Sequence, residues 1–205
     1  RGILCEFDYY PLEYEPTEAE KEEYRKKMKG GFVKEEGGKV SPLAAIRASA
    51  VFKGSREKLP VFFDWLETHD ALDRSLIFVV DTSFGRELMS QLNSAGYPTF
   101  ASFFQGDSFE NLESFAEGKT HFLVSCHRIS EGLDIKSVRQ IVLFSSSGAP
   151  LETIQRIGRA LRKGDDPKRA LVVDFIYDNP DSSTNPDATR RDWLEEISQA
   201  VNQER

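Results

Sequence analysis

The chain is expected to fold as an α/β domain: a mainly parallel sheet with helices on both faces and a helical extension on its N-terminal side. Three observations lead there. Leu76-Ile77-Phe78-Val79-Val80 is a short apolar run, the signature of a strand buried on both faces. From residue 75 onward, such runs alternate with stretches of helical periodicity, the pattern of crossover connections between parallel strands. Polar residues and glycines then collect just after the runs, at Asp81 to Ser83, Gln105-Gly106-Asp107, Ser125 to Asp134 and Ser145 to Gly148. In a parallel sheet those positions share the carboxyl edge, where ligands of such sheets bind.

Each element has a local reason. Ile3 to Tyr14 is extended and aromatic-rich, with Phe7, Tyr9, Tyr10 and Tyr14. Thr17-Glu18-Ala19-Glu20 is a capping box that opens a highly charged, solvated helix ending near Lys29 and Gly30-Gly31. Gly37-Gly38 marks a second flexible point. Ser41-Pro42 is a cap followed by proline at the first helical position, so a helix over 42–53 follows. Another over 56–69 aligns Leu59, Phe62, Phe63 and Leu66. Strands are expected at 76–80, 99–102, 121–125, 139–144 and 170–175. Helices are expected from Thr82 or Ser83 to Asn93 (stopped by Gly96), at 108–116, at 150–161 and at 189–202. The domain reading is an extension over 1–40 leading from a preceding domain, then a domain over 41–205 with its core at 75–176.

Charge and cysteines narrow the function. The net charge of −7 argues mildly against nucleic-acid binding, but residues 120–172 carry nine Lys/Arg against five Asp/Glu. Cys5 and Cys126 make no metal-ligand spacing with His69, His121 or His127, so buried thiols in a reducing cytoplasm are expected. No apolar run approaches the ~20 residues that span a bilayer, and no membrane partner is expected. The start at Arg1, without methionine or signal peptide, reads as a piece of something longer.

The most telling stretch is Gln155-Arg156-Ile157-Gly158-Arg159-Ala160-Leu161-Arg162. It sets three planar, permanently charged guanidinium groups three residues apart on a helix, so they can address one polyanion together. Alone it could be a solvated basic helix. It follows, however, Ser125-Cys126-His127-Arg128-Ile129-Ser130-Glu131-Gly132-Leu133-Asp134-Ile135 after one strand and Leu76 to Asp81 before a helix.

In this order and spacing, the three stretches resemble motifs IV, V and VI of the second RecA-like domain of superfamily 2 helicases and translocases. The resemblance covers about residues 75–175, and its wording is closest to restriction-enzyme motor subunits and DNA-repair helicases. It implies a RecA-like fold and a set of roles. Arg159 and Arg162 would be arginine fingers on the γ-phosphate of ATP, with Gln155 ordering the attacking water. Gly132 and Asp134 would approach the nucleotide, Asp134 near the ribose. Ser83, Gly106 and Ser125 would contact nucleic-acid phosphates, the first two through backbone amides. No G-x-x-x-x-G-K-[ST] and no D-E-x-[HD] occurs, so ATP and Mg²⁺ would be held mainly by an N-terminal RecA-like domain of the same protein. The implied function is the second motor domain of an ATP-dependent DNA helicase or translocase, with RNA a possible substrate. The isolated chain is then expected to be inactive. The alternative is a non-catalytic RecA-like module that binds nucleic acid or a partner.

Overall fold

A computed structural model of the chain describes residues 6–29, 41–69, 74–97, 99–126, 138–145, 169–179 and 186–203. The strands among them are β1 (Phe7–Glu13), β2 (Ser75–Phe78), β3 (Phe100–Phe103), β4 (Phe122–Ser125), β5 (Gln140–Leu143) and β6 (Ala170–Ile176). The helices are α1 (Glu18–Lys29), α2 (Pro42–Lys53), α3 (Lys58–Thr68), α4 (Thr82–Ser94), α5 (Phe109–Ala116) and α6 (Pro186–Gln203). Cys5, Gly30-Gly31, Gly37-Gly38 and the expected helix at 150–161 lie outside the described residues.

The six strands form one sheet in the order β1-β6-β5-β2-β4-β3, and every pair is parallel. The chain runs from β2 through α4 two places outward to β3, then returns through α5 to β4. Right-handed crossovers in opposite directions must place their helices on opposite faces, and the two cores show that they do. Ile77 and Val79 pack with Leu59, Phe62, Phe84 and Leu88 of α3 and α4. Leu76 and Phe78 pack with Leu112 and Phe115 of α5 and Leu194 of α6. Alternate residues of one strand thus feed two cores, which is why β2, β4 and β5 are buried along their length and mostly apolar.

The local chemistry confirms several element ends and corrects others. In the predicted capping box, the Glu20 amide donates to Thr17 Oγ1 at 3.2 Å and the Thr17 amide donates to Glu20 Oε2 at 2.8 Å. The α1 helix buries no residue, as its charge predicts. Gly96, at φ +77, closes α4: its amide goes to Asn93 and that of Tyr97 to Leu92, the double bond pattern of a left-handed helix stop. The cap of α4 is not Thr82 or Ser83 but Asp81, whose carboxylate accepts the Phe84 amide at 2.8 Å. Ser41 precedes α2, but its hydroxyl makes no capping bond. The last helix starts at Pro186, three residues before the apolar periodicity becomes visible, because proline needs no amide partner in a first turn.

The segment read as an extension supplies the edge strand of the sheet. Strand β1 pairs with β6 from Phe7↔Ala170 to Glu13↔Ile176. Helix α6 covers its start: Ser198 Oγ and Asn202 Nδ2 both donate to the Phe7 carbonyl, at 2.7 and 3.0 Å.

Candidate functional site

The carboxyl edge carries the chemistry that the fold can offer. Where β2 ends, the chain turns at Asp81 into α4. The Asp81 carboxylate takes the Phe84 amide and its carbonyl takes the Gly85 amide. The amides of Thr82 and Ser83 precede the first intrahelical bond, and Ser83 is exposed. The positive end of the helix dipole therefore opens toward solvent at Ser83. The Asp81 carboxylate beside it offsets part of that field.

Where β3 ends, Phe104 to Asp107 make a tight turn. The Asp107 amide donates to the Phe104 carbonyl at 3.1 Å, and the Phe104 amide donates to Asp107 Oδ2 at 2.8 Å. Gly106 sits at φ +93 with open space around it, the conformation a glycine at the third position of such a turn supplies. Gln105 and Gly106 are exposed.

Where β4 ends, Ser125 points inward. Its side chain is fully buried, and Oγ donates to the Phe103 carbonyl of β3 at 3.0 Å. A phosphate contact from this hydroxyl would require it to leave that carbonyl. The next residue, Cys126, is partly exposed, with Sγ 3.9 Å from Thr82 Oγ1. It touches the start of α4. Among the described residues no group of three or more His, Cys, Asp or Glu side chains is placed to hold a metal ion. Nor is any described helix long and apolar enough to cross a membrane.

Ser83, Gly106 and Ser125 thus come to one edge, at the ends of β2, β3 and β4. The β5 exit adjoins them, with the Ser145 amide donating to the Phe78 carbonyl at 3.2 Å. Gly132 and Asp134 follow β4 in the chain, and Gln155, Arg159 and Arg162 follow β5. All five, with His127, Arg128, Arg156 and Gly158, lie outside the described residues.

Three further groups stand near this edge. Lys58, at the start of α3, is buried, and its ammonium donates to the carbonyls of Phe144 at 2.8 Å and Lys53 at 3.3 Å. It lies 5.0 Å from the centre of the Tyr14 ring. Burial pulls its pKa down to about 8, against the attraction of Asp187. Asp174 of β6 is fully buried and bound by Arg190 of α6, with Nε at 2.6 Å from Oδ2 and Nη2 at 3.3 Å from Oδ1. Burial pushes the Asp174 carboxyl up, while the Arg190 guanidinium and the Phe175 amide pull it back. Arg190 keeps its charge through Asp174 and Asp187, which outweigh its own burial. The third group is Phe104, whose ring lies against Gly85. None of these pairs has a sequence spacing that announces it: Asp174 and Arg190 are 16 residues apart, Lys58 and Phe144 86 apart.

Comparison with known proteins places this edge in context. A profile of the helicase conserved C-terminal domain matches residues 57–164, more than half of the chain. DEAD-box ATP-dependent RNA helicase 24 of Oryza sativa subsp. japonica is 32% identical over 118 residues, covering 56% of this chain and 15% of the helicase. A protein assigned as ATP-dependent DNA helicase fml2 in Schizosaccharomyces pombe is 29% identical over 107 residues, covering 52% of this chain and 13% of its own length. The chain therefore spans a minor part of these relatives. The crystal structure of the C-terminal part of the Fun30 ATPase domain shares the fold, with a TM-score of 0.61, 11% identity and coverage of 96% of this chain and 99% of that one. The chain belongs to the helicase conserved C-terminal domain family, as a RecA-like domain of superfamily 2.

Proposed function

We propose that this domain is the second motor domain of an ATP-dependent DNA helicase or translocase. The observation that carries the reading is the common edge. The exposed α4 N-terminus at Ser83 and the Gly106 turn lie there, beside the strand ends whose following segments hold Gly132, Asp134, Gln155, Arg159 and Arg162. In this reading Arg159 and Arg162 stabilise charge on the transferred γ-phosphoryl group, and Gln155 orders the attacking water. Gly132 and Asp134 approach the nucleotide. In the same reading the first 40 residues, which include the edge strand β1, would lead from an N-terminal RecA-like domain that binds ATP and its Mg²⁺.

Backbone amides at Ser83 and Gly106 would take nucleic-acid phosphates, which position a strand without reading its sequence. Ser125 would join them by turning its hydroxyl away from Phe103. Closure of the two domains on ATP and opening after hydrolysis would move these contacts along the strand. The wording of residues 130–135 and 155–162 supports DNA, whereas relatives named as both DNA and RNA helicases leave RNA as the competing outcome.

The test is ATP turnover of the full-length protein with single-stranded DNA, duplex DNA or RNA as stimulant, alongside the 205-residue chain alone. The reading predicts stimulation by DNA above RNA and no turnover by the chain alone. Turnover by the chain alone that is lost on Arg159→Ala would refute the half-site.

A further inference from the structure

The two backbone sites belong to strands that are not neighbours. β4 lies between β2 and β3, so their exits are about two strand spacings, roughly 10 Å, apart. Something must hold them at a constant separation if both are to meet one strand of nucleic acid. The Phe104 ring occupies that position. It leaves the end of β3 and lies against Gly85, in the first turn of α4. A Cβ on Gly85 would overlap Phe104 Cζ and stand 3.0 Å from Cε1 and 3.2 Å from Val79 Cγ2. Val79 crowds the same point and the ring is buried, so in a close-packed interior it has little room to yield.

The ring is also tied to the turn. Phe104 bonds Asp107 through both its amide, at 2.8 Å to Oδ2, and its carbonyl, at 3.1 Å from the Asp107 amide. A displacement of the Phe104 backbone by its ring would therefore carry Gln105 and Gly106 with it.

We propose that the Gly85–Phe104 contact is a spacer that sets the separation of the α4 N-terminus from the Gly106 turn, so that the two engage phosphates of one strand as a unit. Gly85 and Phe104 are positioning residues; neither touches the ligand. The proposal rests on the phosphate-contacting reading of Ser83 and Gly106.

The test uses the full-length protein and unstructured single-stranded DNA, reading the concentration that half-saturates ATPase stimulation. Gly85→Ala is expected to raise it about tenfold, equivalent to about 1.4 kcal/mol, with kcat at saturating DNA kept within about twofold. Shortening the ring in Gly85→Ala/Phe104→Leu makes room for the methyl group and is expected to bring half-saturation back to within about threefold of wild type. Phe104→Leu alone, which keeps Gly85, loosens the turn and is expected to raise half-saturation about threefold; it carries the test if Gly85→Ala does not fold. Gly106→Asp, which places a carboxylate on the turn, separates the two levels. If Gly106→Asp weakens stimulation while Gly85→Ala or Phe104→Leu leaves half-saturation unchanged, the spacer is overturned and the phosphate reading stands. If none of the variants shifts it, both fall. Failure of the double variant to recover also overturns the spacer.

Discussion

At the β3 side of the sheet, the carboxyl edge is held by a phenyl ring against a glycine and by backbone turns. At the β1 side, it is held by a polar network built around the buried Asp174–Arg190 pair. Tyr9, Asp174, Arg190 and Asp187 bond one another between β1, β6 and α6, with Tyr9 Oη donating to Asp174 at 3.3 Å and Arg190 Nη1 to Asp187 at 2.7 Å. Asp187 also takes the Tyr177 amide, so the network reaches from a side chain of β1 to the backbone beyond β6. Such a network is stable only because its members satisfy one another. The opposite corner spends apolar contact on position and leaves its amides facing solvent at Ser83 and Gly106. The difference teaches where a ligand can act on this fold. Polar groups that satisfy one another stiffen the sheet; amides supported from beneath by an aromatic ring remain available to a phosphate.

The largest expected effect breaks the charged side. Arg190→Met leaves Asp174 buried without its cation, and should cost about 3–5 kcal/mol in urea unfolding. Asp174→Leu/Arg190→Met removes both charges and should recover most of that loss. A double variant no more stable than the single would mean that the pair is a net source of stability.

Next is the pH dependence of Lys58. The folded group releases its proton near pH 8, whereas an unfolded lysine holds it to about 10.4. Below pH 8 both states carry the proton and the contribution is flat. Above it the unfolded state binds more protons, so this group makes the fold more stable as pH rises. Between pH 8 and 9.5, the stability of wild type minus Lys58→Met should grow by about 1.6 kcal/mol. A flat difference over that range would mean that Lys58 keeps its charge when buried.

Ser125→Ala removes one bond to the Phe103 carbonyl and should cost about 1 kcal/mol in the same unfolding assay. If the hydroxyl turns from Phe103 to the phosphates as proposed, half-saturating DNA should also rise several-fold; a change within about twofold would keep Ser125 on the Phe103 carbonyl. The smallest effect belongs to Asp81→Asn. Asparagine caps a helix as well as aspartate does, so stability should change by only a few tenths of a kcal/mol. Loss of the negative charge beside Ser83 should tighten DNA binding about two- to threefold at low salt, and the gain should vanish as salt is raised.

The element ends were legible in the sequence, because their signals are local. Thr17-Glu18-Ala19-Glu20 and Gly96 announce a helix start and a stop within a few residues. The apolar run at 76–80 announces a two-sided strand, and polar residues after each run announce the ligand edge. Asp81 was overlooked as the cap of α4 because Thr82 and Ser83, which follow it, are also cap formers. The charged side was not legible. Nothing near Asp174 predicts that Arg190 will fold back onto it, or that Tyr9, 165 residues away, will donate to it. The inward turn of Ser125 was hidden for the same reason, since it depends on β3 lying beside β4, and a serine ending a strand looks the same either way. A glycine inside a helix costs stability; the Phe104 ring and Val79 packed against Gly85 supply the reason for it there.

In the proposed function this domain supplies half of an ATP site and a separate grip on nucleic acid. That division is tested most directly by Arg162→Ala in the full-length protein, with ATP turnover and DNA affinity measured on the same preparation. The account predicts that turnover falls by about 10³-fold or more while DNA affinity stays within a few-fold. Loss of DNA binding with turnover intact would contradict it.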